Sequence, residues 1–281
     1  MKILLTGGSG FLGKSFIEAY GNKYDITAPT EAEMDLNKFE QISRQFKMKS
    51  FDAVVHLAAR SDRFEGEGID SANLVFFKNV QYAAILYGVK KLIVAGDAAD
   101  LGSKGGIVEA SESEYGKIVP TDGYGLGQYL INLLASKDKI STVLRFFNIY
   151  GAGANPQKNP VVKIIDDARR NRSKTVTVNA DRRISALYVA DALKIISAFV
   201  DNNFPKGQYN VVPDEATTYF EIARKAKAAA KKNEREIKLV LDSSAAPEDE
   251  FTGKNEALRK LMPNFKFTGI SKGVTKTYEN L

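Results

Sequence analysis

The stretch MKILLTGGSGFLG, residues 1–13, decides the fold of this 281-residue chain. Its apolar run at residues 2–6 predicts a short strand, and the amphipathic segment at residues 11–20 predicts a helix. Of the glycines between them, Gly7 permits a tight turn, Gly10 lets the backbone approach a pyrophosphate, and Gly13 lets the helix pack closely on the strand. The helix N-terminus adds oriented amide groups. The segment therefore predicts a dinucleotide site.

The same alternation of strand and helix continues through the first half of the chain. Short apolar runs predict strands at residues 2–6, 24–28, 53–57, 92–95 and 142–146. Longer amphipathic stretches predict helices at residues 11–20, 36–47, 73–87 and 123–136. Repeated βα units build parallel sheets covered by helices. We expect an α/β fold with a doubly wound parallel Rossmann sheet.

The pattern becomes less regular after residue 150. A helix at residues 161–170 and a strand at residues 175–178 predict a smaller C-terminal α/β lobe. We place a dinucleotide-binding domain at residues 1–150 and a substrate-binding lobe at residues 151–281, with residues 185–200 returning to the first. Alternating Ala and Lys at residues 226–232 predict a solvated helix face.

Composition excludes several kinds of chemistry. The chain has no Cys, which excludes disulfides, thiolate catalysis and Cys-ligated zinc, and its one His leaves almost no metal chemistry, so no metal site is predicted. No apolar stretch approaches 18 residues and no cleavage site follows the N-terminus, so we expect a soluble, cytoplasmic protein without membrane contact. The net charge of +6 is spread along the chain, which argues against a nucleic-acid partner.

Six segments in order resemble the extended short-chain dehydrogenase/reductase superfamily, which includes the nucleotide-sugar epimerases, dehydratases and reductases. Besides the glycine segment they are Asp35-Leu36, His56-Leu57-Ala58-Ala59, Asn73, LRFFNIYG at residues 144–151 and YVAD at residues 188–191. The resemblance implies a nucleotide-sugar substrate, NAD or NADP as cofactor, and allows a homodimer through helices flanking the active site. The implied cofactor-binding residues are Gly7, Gly10, Phe11, Leu12, Gly13, Asp35, Leu36, Leu57, Ala58, Ala59, Tyr124 and Gln128.

The choice between NAD and NADP stays open. NAD-preferring relatives carry an acid at the end of the second strand, and the matching position here falls near Pro29-Thr30, which has no acid unless Glu31 substitutes. Lys14 or Arg60 could contact a 2′-phosphate. His56, at a strand end beside two alanines, is interpreted as a cofactor-wall or packing residue and not as a proton shuttle.

The catalytic positions depart from the family pattern of Ser/Thr, Tyr and Lys. Tyr124 is present, on a helix whose Leu130, Leu133 and Leu134 should face the core, but Gln128 stands at the Lys position and Asp97 at the hydroxyl position. Tyr115 and Lys117 do not replace the pair, because they are two residues apart in what reads as an acidic loop at residues 109–115.

These replacements affect the two directions of catalysis differently. A nearby Lys lowers the pKa of a Tyr phenol and favours the phenolate that oxidises alcohols, whereas a like charge such as ionised Asp97 opposes the phenolate. Carbonyl reduction needs the neutral phenol instead. The sequence therefore favours a ketosugar reductase with Tyr124 as acid/base. Asp97 as general base, and a noncatalytic dinucleotide-binding protein that acts as a sensor or partner subunit, stay as alternatives.

Three residues are candidates for substrate binding. The resemblance assigns Asn148 to the sugar nucleotide, which relatives bind between the two lobes. Arg182 and Arg183 precede the YVAD segment, and their planar guanidinium groups could fork onto a diphosphate. Their register is one residue short of the family arginine, so a surface loop with two solvated arginines is an equal alternative.

Overall fold

The computed structural model of the protein describes residues 1–60, 71–102, 106–170, 174–178, 181–242 and 249–281. The strands are β1 Lys2–Thr6, β2 Asp25–Thr27, β3 Ala53–His56, β4 Lys91–Asp97, β5 Ile107–Ala110, β6 Ser141–Phe146, β7 Asn148–Tyr150, β8 Thr175–Val178, β9 Arg183–Ile184, β10 Ala186–Tyr188, β11 Gln208–Val211, β12 Thr217–Thr218, β13 Lys238–Leu241 and β14 Phe251–Gly253. The α-helices are α1 Phe11–Tyr20, α2 Phe39–Met48, α3 Ser71–Leu86, α4 Gly123–Ala135, α5 Pro160–Arg170, α6 Val189–Asp201, α7 Tyr219–Lys232, α8 Glu256–Leu261 and α9 Ile270–Asn280. Short 3-10 turns lie at Ala98–Leu101 and Glu112–Glu114.

The central feature is a six-stranded sheet in the order β11-β6-β4-β3-β1-β2. Its pairs from β6 through β2 are parallel, with Leu4 opposite Val54 and Val54 opposite Leu92. All residues of β3 and β6 are buried, as expected of parallel strands that are covered on both faces. The predicted doubly wound Rossmann architecture is therefore confirmed.

Chain order reverses within this sheet between β1 and β3. The chain leaves β1 through α1 to reach β2 on one side, and then returns through α2 to β3 on the other side of β1. In open α/β sheets, ligands bind at such a reversal, outside the carboxyl ends of the strands. The topology thus places a ligand site after β1 and β3.

The described chain divides into two compact units. Unit 1 comprises Met1–Lys104, Glu112–Phe146 and Leu193–Asn210, and unit 2 comprises Gly105–Ser111, Phe147–Ala192 and Val211–Leu281. The sequence predicted a single change near residue 150 with a return at residues 185–200. Unit 1 takes the later segment Leu193–Asn210, because β11 pairs with β6 at the edge of its sheet.

Helices α2, α3 and α4 close one face of the unit 1 sheet. Their inward side chains join strand residues in one apolar cluster that includes Ile42, Phe46, Phe77, Val80 and Ile131. The outer face of α3 leaves Tyr82, Ile85 and Leu86 exposed at 59%, 49% and 55%. No helix within the described ranges is long and apolar enough to cross a membrane.

Unit 2 contains three smaller sheets. Strands β12, β9, β14 and β5 form one in that order, β10 pairs with β7, and β13 pairs with β8. On α7 the lysines at 227, 231 and 232 are exposed while Ala226 and Ala230 are fully buried. The alanines of the predicted solvated stretch thus form its packed side.

Two local expectations were wrong. Leu133 was expected to face the core but is 37% exposed, because the buried side of α4 is formed by Gly125, Gln128 and other small or polar residues. The segment at residues 109–115, expected to be an acidic loop, instead contains the end of β5 and a 3-10 turn. Of its three acids, Glu109 lies in β5, and Glu112 and Glu114 lie in the 3-10 turn.

Candidate functional site

The glycine segment after β1 forms a close-packed turn. Gly7 has φ of +76°, and a side chain added there would meet the backbone N of Ala58 at 2.6 Å. A side chain at Gly13 would come within 2.1 Å of the Gly7 carbonyl oxygen. The Gly10 amide donates to the same oxygen at 3.0 Å. Only glycine at positions 7 and 13 allows α1, the turn and β3 to approach this closely.

A cavity of about 200 Å³ opens at the carboxyl ends of β1, β2 and β3, where the chain order reverses. Six of the predicted cofactor-binding residues line it, namely Gly7, Gly10, Leu36, Leu57, Ala58 and Ala59. The lining residues that the sequence did not assign are Thr6, Gly8, Ser9, Met34 and Phe76, together with Pro29, Glu31 and Arg60 from the weighed alternatives. Gly8 and Ser9 could have been found from their place inside the glycine segment, whereas Met34 and Phe76 carry no local signal.

Other predicted cofactor residues lie outside this lining. Phe11, Leu12 and Gly13 belong to α1, where Gly13 supports the turn from behind. Tyr124 and Gln128 lie on α4.

The Asp35 side chain forms hydrogen bonds within a turn before α2. Its carboxylate accepts from the backbone N and the side-chain Nδ2 of Asn37, at 2.9 and 3.0 Å. These hydrogen bonds lower the pKa of Asp35 below its ordinary value, with a smaller contribution from Lys38. The turn also explains why α2 begins at Phe39, three residues later than predicted.

The charged groups at the cavity are Glu31 and Arg60. The Arg60 guanidinium lies over the Phe76 ring at 5.9 Å, and the Asn73 side chain fixes the Arg60 backbone by accepting from its N at 2.7 Å and donating to its O at 3.2 Å. Lys14 is exposed on α1 and is not part of the lining. Of the two basic residues considered for a 2′-phosphate, Arg60 is thus the one at the cavity.

His56 lies at the end of β3 but is only 4% exposed. Its Nδ1 is 2.7 Å from the Thr6 hydroxyl oxygen, and burial lowers its pKa to about 4. The imidazole is therefore neutral at pH 7. This burial supports its interpretation as a packing residue.

The cavity fits the dinucleotide that the glycine segment predicts. Backbone packs closely around Gly7 and Gly13, whereas Gly10 lines the open side of the cavity at the start of α1. Among the described residues, a side chain added at Gly10 would contact the Gly7 carbonyl oxygen alone, at 3.4 Å. The α1 N-terminus has no side-chain cap, so its amide groups are available to an anion. Apolar walls from Leu36, Met34 and Leu57 complete a surface suited to an aromatic base.

Tyr124 and Asp97 form a contact at the carboxyl end of β4. The Tyr124 hydroxyl donates to Asp97 Oδ2 at 3.1 Å, and Asp97 Oδ1 accepts from the Ala99 backbone N at 2.8 Å. A side chain at Gly125 would lie 2.7 Å from the Ala99 carbonyl oxygen. Glycine at this position therefore lets the start of α4 approach the 3-10 turn and brings Tyr124 to Asp97.

Gln128 follows Tyr124 by one helical turn and is 5% exposed. Positions i and i+4 share one helix face, so the uncharged amide lies on the Tyr124 side of α4. In the structure, Gln128 thus stands where the family has a Lys, and the Tyr124 hydroxyl is bonded to the carboxyl group of Asp97.

A buried ion pair lies behind this contact. Asp100 and Arg145 are both fully buried, with Arg145 Nε 2.7 Å from Asp100 Oδ1 and Nη2 2.8 Å from Oδ2. Burial raises the pKa of Asp100 to about 6, although Arg145 opposes the rise. Arg145 belongs to the LRFFNIYG segment, and no sequence pattern identifies Asp100 as its partner.

The predicted substrate residues belong to unit 2. Asn148 starts β7, and its Nδ2 is buried without a hydrogen-bond partner among the described residues. Arg183 lines a polar cavity of about 220 Å³ with Glu109, Lys254 and other residues, and pairs with Glu250 at 3.1 Å. Arg182 instead donates to the Asp249 carbonyl oxygen and lies over the Phe251 ring at 5.3 Å. The two arginines have separate partners and do not form one fork here.

The described residues contain no group of three or more His, Asp or Glu side chains placed to hold a metal ion.

Known proteins share this sequence pattern and fold. The sequence model of the NAD dependent epimerase/dehydratase family matches residues 3–212. UDP-glucose 4-epimerase of Corynebacterium glutamicum is 27% identical over 214 residues, which cover 64% of this chain and 63% of that protein. ADP-L-glycero-D-manno-heptose-6-epimerase of Brachyspira hyodysenteriae is 23% identical over 318 residues, covering 99% and 97%. The crystal structure of a GDP-L-fucose synthetase from Naegleria fowleri bound to NADP has the same fold, with a TM-score of 0.83, 19% identity and coverage of 99% and 92%.

Proposed function

Because this chain belongs to the NAD dependent epimerase/dehydratase family, we propose that it is an NAD(P)-dependent oxidoreductase of nucleotide-linked sugars that reduces a ketosugar. The observation that carries the proposal is the hydrogen bond from Tyr124 to Asp97, with uncharged Gln128 one turn away. The relatives named as acting on UDP-glucose and on an ADP-linked heptose support a nucleotide-linked sugar as substrate.

The glycine segment would hold the cofactor. Amide groups at the start of α1 bind the pyrophosphate, and Leu36 with Leu57 and Ala58 forms the apolar wall along the dinucleotide. When bound, the dinucleotide supplies the hydride that reduces the carbonyl carbon.

Tyr124 supplies the proton for this reduction. Its neutral phenol donates to the carbonyl oxygen, so that the ketone becomes an alcohol. In the resting protein the Tyr124 hydroxyl donates its hydrogen bond to the Asp97 carboxylate, whose like charge disfavours the phenolate, so the hydroxyl must turn from Asp97 to the carbonyl oxygen before it gives up its proton. After the transfer, the half-buried Asp97 carboxylate takes up a proton from solvent and donates it to the Tyr124 phenolate. The same arrangement slows alcohol oxidation, which requires the phenolate.

On the substrate side, we assign Asn148 to the sugar nucleotide, because its buried Nδ2 has no hydrogen-bond partner among the described residues. Arg183 is the arginine that we assign to the diphosphate, because it lines the polar cavity and Arg182 does not; the diphosphate would have to displace the Glu250 carboxylate that Arg183 now binds.

A panel of nucleotide-linked sugars and their 4-keto forms, assayed for NADPH and NADH oxidation, tests the reaction. Tyr124→Phe should lower kcat at least roughly 100-fold, because the proton donor is lost. Tyr129→Phe is the matched control on the same helix and should keep the wild-type rate. Equal rates for Tyr124→Phe and wild type would refute the role of Tyr124.

The alternative is a noncatalytic dinucleotide-binding protein that acts as a sensor or partner subunit. The replacement of two family catalytic positions by Asp97 and Gln128 favours it. This function predicts tight cofactor binding, no turnover of any panel compound and little change in Gln128→Lys, and a gain of alcohol oxidation in the double variant Asp97→Ser, Gln128→Lys would support a degraded triad. Turnover by the wild-type chain excludes it.

A further inference from the structure

A single buried carboxylate connects the two elements that carry the Tyr124–Asp97 contact, because it lies in the turn that Asp97 caps and is bonded to α4. Asp100 is fully buried and follows Asp97 by three residues, within the 3-10 turn Ala98–Leu101. Its Oδ2 accepts from Asn132 Nδ2 on α4. Arg145 from β6 donates to both of its oxygens. We call Asp100, Asn132 and Arg145 the Asp100 hub.

The hub lies on the helix face that carries the functional residues. Tyr124, Gln128 and Asn132 are spaced by four residues, so they follow one another along one side of α4. Asn132 is fully buried and therefore fixes this side of the helix against the turn. Asp97 caps the same turn through the Ala99 amide. Tyr124 on α4 and Asp97 at the start of the turn therefore belong to two elements that Asp100 connects.

A buried ion pair is costly as a source of stability alone. Removing two charges from water is unfavourable in general, and apolar residues of similar volume often give a more stable protein. Here the guanidinium is also held from its other side, where Arg145 Nη1 donates to Asn210 Oδ1 at 2.9 Å and Nη2 to Gln208 Oε1 at 2.8 Å. The guanidinium that binds Asp100 is therefore itself held by the neighbouring strand β11.

We propose that Asp100 is a positioning residue that, through Asn132 and Arg145, sets the distance and direction of the Tyr124–Asp97 contact. Its effect on catalysis rests on the proposed function, whereas its effect on the contact does not. Loosening the Asn132 link lets the start of α4 move relative to Asp97, and misplacement of a proton donor by about 1 Å can lower a rate roughly 100-fold.

The test follows the Tyr124 phenol directly. The full chain is labelled with tyrosine carrying ¹³C at Cζ, and the Tyr124 signal is assigned by its loss in Tyr124→Phe. Asp97→Ala defines the signal of a phenol without its carboxyl neighbour. Asn132→Leu removes the helix link at nearly constant volume and leaves the Asp100–Arg145 pair intact. Asp100→Asn leaves a buried guanidinium without its anion, so it is not used alone.

Asn210→Leu is the matched control. Asn210 is also a fully buried Asn, but its bond is to Arg145, on the side of the guanidinium away from Asp100. Denaturant unfolding of both variants measures the loss of stability that they share.

We expect the Tyr124 signal of Asn132→Leu to move toward that of Asp97→Ala, and the signal of Asn210→Leu to stay with wild type. In the ketosugar assay, Asn132→Leu should lower kcat roughly 10- to 100-fold at an unchanged KM for the cofactor. A wild-type signal in Asn132→Leu, or an equal shift in Asn210→Leu, overturns the positioning role. If the wild-type chain reduces no ketosugar, the proposed function fails while the signal still decides the role of Asp100.

Discussion

Replacing Gly13 by Ala separates the packing role of the glycine segment from its binding role. The added methyl carbon would lie 2.1 Å from the Gly7 carbonyl oxygen and 2.7 Å from the Gly8 Cα, more than 1 Å inside the 3.4 Å at which ordinary contact with that oxygen begins. Both neighbours are backbone atoms, so relief requires α1 to move away from the turn. Overpacking of this kind costs about 3 kcal/mol, which corresponds to roughly 6–12 °C in Tm.

Gly10→Ala is the matched variant. Its methyl carbon would lie 3.4 Å from the same oxygen, and the backbone at Gly10, with φ of −78° and ψ of 175°, accepts any residue. We expect its stability to stay within about 0.5 kcal/mol of wild type, since no neighbour has to move. Its affinity for NAD(P)H should nevertheless fall at least roughly tenfold, because the methyl group covers the wall that a pyrophosphate approaches.

Thermal melting and calorimetric titration with NADH and NADPH measure both effects. Gly13→Ala should lose stability and affinity together, whereas Gly10→Ala should lose affinity alone. A Gly13→Ala protein that melts with wild type and binds the cofactor equally well would show that the close approach of α1 to the turn is not needed, and would contradict the reasoning.

Three further predictions concern other parts of unit 1. Glu31→Gln should raise the ratio of NADP to NAD affinity about fivefold, because it removes a carboxylate that repels a 2′-phosphate; competitive titration with both cofactors measures the ratio, and an unchanged ratio contradicts it. Burial lowers the pKa of His56 to about 4, so the stability contributed by its neutral form is present above pH 6.5 and is lost as the pH falls toward 4. The free energy of unfolding should therefore fall by ~2 kcal/mol between pH 7 and 5. Urea titrations at several pH values measure this fall, which His56→Gln should lack. A homodimer through α3 and α4 should dissociate when Tyr82 and Leu133 are both changed to Asp, as measured by sedimentation, and a dimer that persists places the contact elsewhere.

The parts of the fold that sequence reasoning found are those with local causes. The predicted bounds of β1 and α1 match the structure residue for residue. The signals that predicted them, the period of the apolar residues and the spacing of the glycines, lie within a short stretch of sequence. β8 was likewise found from its alternating pattern. The predicted start of α2 was wrong because a polar turn precedes the helix. In that turn the Asp35 carboxylate accepts a hydrogen bond from Asn37, although the apolar period of the helix extends back to Leu36.

The candidate site was less readable because most of it is made by long-range contacts. Met34 and Phe76 reach the cavity from separate elements, and nothing in their neighbours marks them. Asp97 was identified by its position, but its bond to Tyr124 depends on the approach that Gly125 allows. Asp100 has no local signal at all, because its partner Arg145 lies 45 residues away along the chain.

The division of the chain into alternating segments bears on how the protein is made. Unit 1 is finished only when Leu193–Asn210 has been synthesised, after much of unit 2 has left the ribosome. A chain released after residue 150 would lack β11, so β6 would be an open edge strand, and Arg145 would lose Gln208 and Asn210. Such edges recruit other chains. A nascent or truncated N-terminal half is thus an aggregation-prone species that chaperones must shield until the last strand arrives.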